Sequence, residues 1–242
     1  MSPRRITSAE KHKFEEERAR MVLALCDPDR FEDSVLSESP DIINERLGIG
    51  VEVTNCTKQN VLKGSSWAGT ISGKSVYELS KVDRDHIAAH RVSVTQFPIG
   101  KLIAGFCCWG DNYDVKGAFQ RKLIKLNQSH FQKFAENNFF MLCWMMDVDE
   151  LEPALNFLLN DIDYRELNMG ENGFTKFDKV YLFKEQLLIE INLHQKCFIK
   201  REITPEQMNV ISHSSFQKVF GMTREEFHAQ NHINNSANRN LE

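Results

Sequence analysis

Apolar side chains recur on one helical face through the first thirty residues. Phe14, Met21, Val22 and Leu25 line up with the long stem of Arg18, behind a Thr7/Glu10 pair spaced for a capping box. This predicts a helix over 7–26, stopped by Asp27 and Pro28. Residues 34–44 then carry Val35, Leu36, Ile42 and Ile43, Gly48 marks a turn, and Val51 and Val53 alternate with Glu52 and Thr54 up to Cys56, which predicts a strand pair. Residues 60–75 are rich in Gly, Ser and Thr and read as a loop, 75–90 as a short helix, and 91–109 as β-leaning. From 116 to 137, Phe119, Leu123, Leu126, His130 and Phe134 predict a second long amphipathic helix ended by Asn137 and Asn138. An apolar strand over 139–146, a helix over 151–159 behind Pro153, and strands over 179–183 and 187–193 follow. Thr204-Pro205-Glu206 and Thr223-Arg224-Glu225 read as helix starts, and the Asn-rich tail from Asn231 as a frayed end.

This order predicts an α/β (α+β) layer fold, with a small mixed central sheet flanked by helices and further strands and helices at the C-terminal end. Residues 1–200 are expected to form the core, with an insertion at about 57–112, and 201–242 a C-terminal helical extension. The composition, 41% hydrophobic and 26% charged over 242 residues, is that of a chain able to bury a core. The longest apolar runs fall far short of the roughly 20 residues that cross a bilayer, and residues 1–5 open no apolar signal segment. The expectation is a soluble, cytoplasmic protein with no membrane partner. Cysteines at 26, 56, 107, 108, 143 and 197 are too sparse and irregular for a disulfide framework, and only Cys107 and Cys108 are neighbours, a poor geometry for zinc. Thirty basic residues stand against 34 acidic ones, so any polyanion must be held locally and not by a whole-molecule positive field.

Chemistry concentrates at Asp41, which follows Pro40, and Glu52, eleven residues later in Gly50-Val51-Glu52-Val53-Thr54. Neighbouring strands can set these carboxylates side by side, and the alternation puts Glu52 and Thr54 on the face away from Val51 and Val53. Such a pair repels itself unless a cation neutralises it, and Mg²⁺ accepts one or two carboxylates while leaving room for water and phosphate oxygens. Singly, each half of the pattern is also what a turn and a solvated strand look like.

With a helix before it and a helix and apolar strand after it, this pattern resembles the PD-(D/E)xK, or restriction-endonuclease-like, nuclease superfamily over about residues 8–146. The resemblance implies a restriction-endonuclease-like core in which Asp41 and Glu52 hold Mg²⁺, with Mn²⁺ as a substitute. It also implies that a first-helix carboxylate joins them, for which Glu17 is the first choice and Glu15 the rival. A lysine is expected two residues after the Glu, but Thr54 stands there. The second long helix offers Lys122 or Lys125 instead, with Lys122 preferred because it lies nearer the apolar face.

The function so implied is metal-dependent phosphodiester hydrolysis, on DNA before RNA, with a homodimer as an option for double-strand cutting. The alternative is a nuclease-fold protein without catalysis that binds nucleic acid or protein. Lys116, Arg121 and Lys125 are the candidate nucleic-acid contacts, supported by Lys11, Lys13, Arg18 and Arg20 on the first helix. On exposed helices such charges are more often a solvated face. Trp67 and Trp109, each near glycine, could stack on bases or cap the core. His86 and His90 share a helical face without a third ligand in view, and no P-loop, dinucleotide or GxSxG motif occurs.

Overall fold

The computed structural model describes residues 6–90, 92–96, 102–106, 112–144, 146–164, 174–227 and 229. Helix α1 (Ser8–Cys26) opens with the expected capping box: the Thr7 hydroxyl accepts the Glu10 N–H, and the Glu10 carboxylate accepts the Thr7 N–H. A single turn, α2 (Pro28–Phe31), leads into β1 (Val35–Leu36), β2 (Ile42–Asn44) and β3 (Ile49–Asn55), which pair antiparallel with Ile42 opposite Val51 and Ile43 opposite Gly50. Gly48 takes a φ of +64° at the β2–β3 turn, a conformation in which a Cβ is strained.

The segment after β3 departs from the sequence reading. Residues 60–75 are mostly helical, as α3 (Gln59–Ile71), and are followed by α4 (Lys81–Ala89) and a separate hairpin of β4 (Val92–Gln96) and β5 (Leu102–Phe106). Gly, Ser and Thr are poor helix formers, but Gly64, Ala68 and Ile71 make a buried stripe at helical spacing. Ala68 and Ile71 pack with Leu79 and Val92 and with Trp67, Ile87 and Val94 into a small core of the insertion's own, so tertiary burial overrides propensity.

Helix α5 (Val115–Leu126) stops well before Asn137. Asn127 caps it, donating from its side chain to the carbonyls of Leu123 and Thr175, while Phe131 turns into the core. Asn137 and Asn138 are therefore not a helix stop but part of β6 (Glu136–Leu142). The Asn137 amide brackets the backbone of Phe134, and the Asn138 side chain accepts the N–H of Lys179, so both serve the start of the strand. Next come α6 (Val148–Asn160), capped by Asp147, then β7 (Lys179–Lys184), β8 (Leu187–Asn192), β9 (Cys197–Glu202) and α7 (Pro205–Phe220). The pattern along β9 predicts no strand, because both of its faces are largely exposed and only the ladder to β8 defines it. It runs through the boundary expected at 200/201.

The result is a mixed α/β architecture around one seven-stranded sheet, larger than the small sheet expected, in the order β1-β2-β3-β6-β7-β8-β9. The central strands β3, β6 and β7 are parallel, and antiparallel strands flank them on both sides. One face, with Val51, Val53, Phe140 and Tyr181, packs under Ala19, Val22 and Leu23 of α1 and Ile211 of α7. The other, with Phe139, Met141, Val180 and Leu182, packs under Phe119 and Leu123 of α5 and Leu158 of α6. Among the described residues no helix is long and apolar enough to cross a membrane. Cys107, Cys108, Trp109 and the tail from Asn231 lie outside the described residues.

Candidate functional site

Asp41 stands one residue before β2. Because Ile42 pairs with Val51, the preceding residue comes beside Glu52. Its backbone carbonyl accepts the N–H of Ser37 at 2.9 Å, and its carboxylate accepts the N–H of Val53 at 2.6 Å. Asp41 is 8% exposed and Glu52 only 1%. Gly50 makes this approach possible, since a Cβ there would lie 2.7 Å from the Pro40 ring and 2.8 Å from that of Phe134. The Pro40, Asp41, Gly50 and Glu52 of the sequence pattern are thus one packed unit.

Glu52 points from β3 toward α5, where Lys122 and Lys125 lie three residues apart and share a helical face. The Lys122 Nζ sits 2.5 Å from the Glu52 carboxylate and 3.5 Å from that of Asp41. The Lys125 Nζ sits 3.0 Å from both Glu52 oxygens and 5.6 Å from the centre of the Phe131 ring. Thr54 only donates its hydroxyl to the carbonyl of Val53, so the positive charge at this site comes from the helix. Burial pushes the Asp41 carboxyl above its usual range; Lys122 pulls it down and Glu52 pushes it up again, with the net shift upward.

The three consecutive glutamates of α1 diverge, because each step turns about 100° around the helix. Glu15 accepts from the side chain of Asn55 at 2.9 Å. Glu16 faces the site: burial first, then the Asp41 charge, raise its pKa to about 7, against the pull of Lys122 and Lys13. Glu17, the first choice from the sequence, is elsewhere. It is fully buried between Arg20 at 2.7 Å and Lys218 of α7 at 2.9 Å, and these partners hold its carboxyl below the usual range although burial alone would raise it. The face that singles out Glu17 is only partly the buried one: Leu25 is exposed, Ala19, Val22 and Leu23 pack on the sheet, and Phe14 packs against α7, which no local pattern in α1 announces.

Of the proposed nucleic-acid contacts, Lys125 is inside the site, Arg121 pairs with Asp114 at 3.0 Å at the start of α5, and Lys116 lines an open cleft with Asp149 and Glu150. On α1, Arg18 stacks 3.7 Å over the Trp144 ring and Arg20 holds Glu17, so two of its four basic residues are committed internally. Trp67 stacks on His86 at 4.2 Å, and His86 on His90 at 5.4 Å, within the insertion.

Among the described residues no three His, Cys, Asp or Glu side chains gather around one point. What Asp41 and Glu52 offer is two buried, oxygen-only donors that already share one cation, the ammonium of Lys122. This chemistry suits a hard divalent ion, which Mg²⁺ sites commonly bind through one or two carboxylates, with water and phosphate completing the shell. Comparison with family models, curated proteins and solved structures finds no match to the chain.

Proposed function

We propose that the chain is a cytoplasmic, Mg²⁺-dependent nuclease of the PD-(D/E)xK type, hydrolysing phosphodiester bonds of DNA in preference to RNA. The observation that carries this reading is the convergence of Asp41 and Glu52 on one lysine nitrogen. Two buried carboxylates that need a cation, and a lysine beside them despite Thr54, are what such chemistry requires. The sequence of elements α1, β1, β2, β3, α5, β6 supports it, because the β2–β3 hairpin supplies Asp41 and Glu52 and the crossover helix α5 supplies Lys122 against both.

Asp41 and Glu52 would hold Mg²⁺ or Mn²⁺. Bound there, the ion would supply Lewis acidity toward a phosphate oxygen and lower the pKa of water. Lys122 and Lys125 would neutralise the negative charge on the phosphoryl oxygens in the transition state and orient the attacking water. Glu16, whose carboxyl burial and the Asp41 charge push up to about 7, would take up the proton that water releases.

A second reading, a nuclease-fold module that binds without cutting, draws on the same ion pairs: lysines of the chain itself balance the charge of Glu52 and Asp41. Incubation with plasmid and oligonucleotides in Mg²⁺ or Mn²⁺, alongside Asp41→Ala and Glu52→Ala, separates the two. Cleavage lost in both variants supports the nuclease. Cleavage that survives both defeats it, and duplex binding without cleavage favours the second reading.

A further inference from the structure

We infer that Lys122 is a built-in stand-in for the divalent cation: it bridges Asp41 and Glu52 when no metal is bound and must leave when one is, whereas Lys125 keeps its hold on Glu52. This rests on the metal-site reading above and assigns different tasks to two lysines that the sequence leaves interchangeable. Their contacts differ. Lys122 touches both carboxylates, 2.5 Å from Glu52 Oε2 and 3.5 Å from Asp41 Oδ2. Lys125 touches Glu52 alone, through both oxygens, and lies near the Phe131 ring.

Carboxylates as buried as Asp41 and Glu52 are costly without a counter-charge, so the metal-free protein needs an ammonium between them. A Mg²⁺ ion would have to lie about 2.0–2.1 Å from the same oxygens. An ammonium in contact with Glu52 Oε2 and near Asp41 Oδ2 blocks that position and repels the ion. Lysine is suited to such an exchange, being a compact charge on a four-carbon stem, and Lys122 retains access to solvent. Once displaced, its ammonium would be free to meet a substrate phosphate. Lys125 conflicts less: it shares Glu52 Oε2 but does not pair with Asp41, so it can keep Oε1 while Oε2 is given up to the ion.

The test is calorimetric titration of the full chain with Mn²⁺, comparing wild type with Lys122→Met, Lys125→Met and Asp41→Asn. Lys122→Met should bind Mn²⁺ at least about tenfold more tightly than wild type, a typical coupling between competing occupants, and Lys125→Met within about threefold of it. Thermal unfolding supplies a second readout. Without metal, Lys122→Met should melt below wild type, and saturating Mn²⁺ should close most of that gap, whereas a lysine that merely packs would leave the gap unchanged. Equal or weaker Mn²⁺ binding by Lys122→Met overturns the inference. If wild type still binds and Asp41→Asn does not, the metal site survives that failure. If even Lys122→Met binds nothing, both fall. Should that variant not fold, wild type with ¹³C-methylated lysines serves: Mg²⁺ should move the Lys122 signal to the exposed position and leave that of Lys125, and two unmoved signals overturn the inference.

Discussion

The Asp41 carboxylate accepts the backbone N–H of Val53 at 2.6 Å, so one side chain both ties the entry of β2 to β3 and presents a charge to the site. The two tasks separate in Asp41→Asn, whose amide oxygen can still accept the Val53 N–H while the charge is gone. We expect the variant to fold with a near-native circular dichroism spectrum and, on the proposed nuclease reading, to lose Mg²⁺-dependent cleavage by at least about a hundredfold, the upper range even for groups that only support metal ligands. Parallel cleavage and unfolding assays check this. Asp41→Ala should lose both activity and stability, because the Val53 N–H is then left buried without its acceptor.

Gly50 belongs to the site through space alone. A methyl group there would meet the Pro40 ring at 2.7 Å and the Phe134 ring at 2.8 Å, closer than packed carbons approach. Gly50→Ala should cost about 1–3 kcal/mol in urea unfolding, as overpacking typically does. It should also lower cleavage beyond the fraction unfolded, since relief moves Pro40 and hence Asp41. Unchanged activity in the folded fraction would show that Asp41 is held independently of Pro40.

Much of this arrangement is legible in the sequence because it is local. The Thr7/Glu10 box, the hairpin over Gly48 and the eleven-residue step from Asp41 to Glu52 depend on neighbours a few residues away or on one turn. The choice of α5 as the source of a lysine likewise follows from the apolar stripe of Phe119 and Leu123, which fixes the side of the helix that faces the sheet. What the pattern conceals depends on distant partners. The helix α3 exists because Ile71 and Ala68 find Leu79 and Val92, and the early start of β6 depends on Asn138 meeting Lys179. Glu17 is taken up by Arg20 and by Lys218, which arrives from α7, and the α1 carboxyl that responds to Asp41 is Glu16, which the sequence reading did not single out. Strand β9, exposed on both faces, has no periodicity to read at all.

The two glutamates give opposite expectations. Glu17→Gln leaves Arg20 and Lys218 facing a neutral amide at the α1–α7 contact and should destabilise the protein by about 2 kcal/mol. This is less than for a fully buried pair because Lys218 is largely exposed. Its folded fraction should cleave at the wild-type rate. Glu16→Gln should leave stability at neutral pH intact or improved and reduce cleavage, since it removes the carboxyl that faces Asp41. Measuring both quantities on both variants tests the assignment; a Glu17→Gln protein that folds but cannot cleave would restore the first choice made from sequence.

The same pair sets a pH signature in the metal-free protein. Glu16 has a folded pKa raised from 4.5 to about 7, chiefly by burial and then by Asp41, so the native state resists its ionisation. Below pH 4.5 the group is protonated whether folded or not and contributes nothing to the pH dependence. Between 4.5 and 7 the unfolded chain ionises it and the native state does not, so stability falls as pH rises, and the full penalty remains above 7. Glu17 acts in the opposite sense. With its folded pKa below 4.5, it contributes stability that is fully present above that value and is lost as pH falls through the folded pKa. Urea unfolding from pH 3 to 8 should therefore find Glu16→Gln gaining on wild type from pH 4.5 to 7 and level thereafter. The deficit of Glu17→Gln should shrink only below pH 4.5. A Glu16→Gln difference that does not change across that interval would mean that Glu16 ionises in the native state as freely as in water, and that Asp41 is not its neighbour.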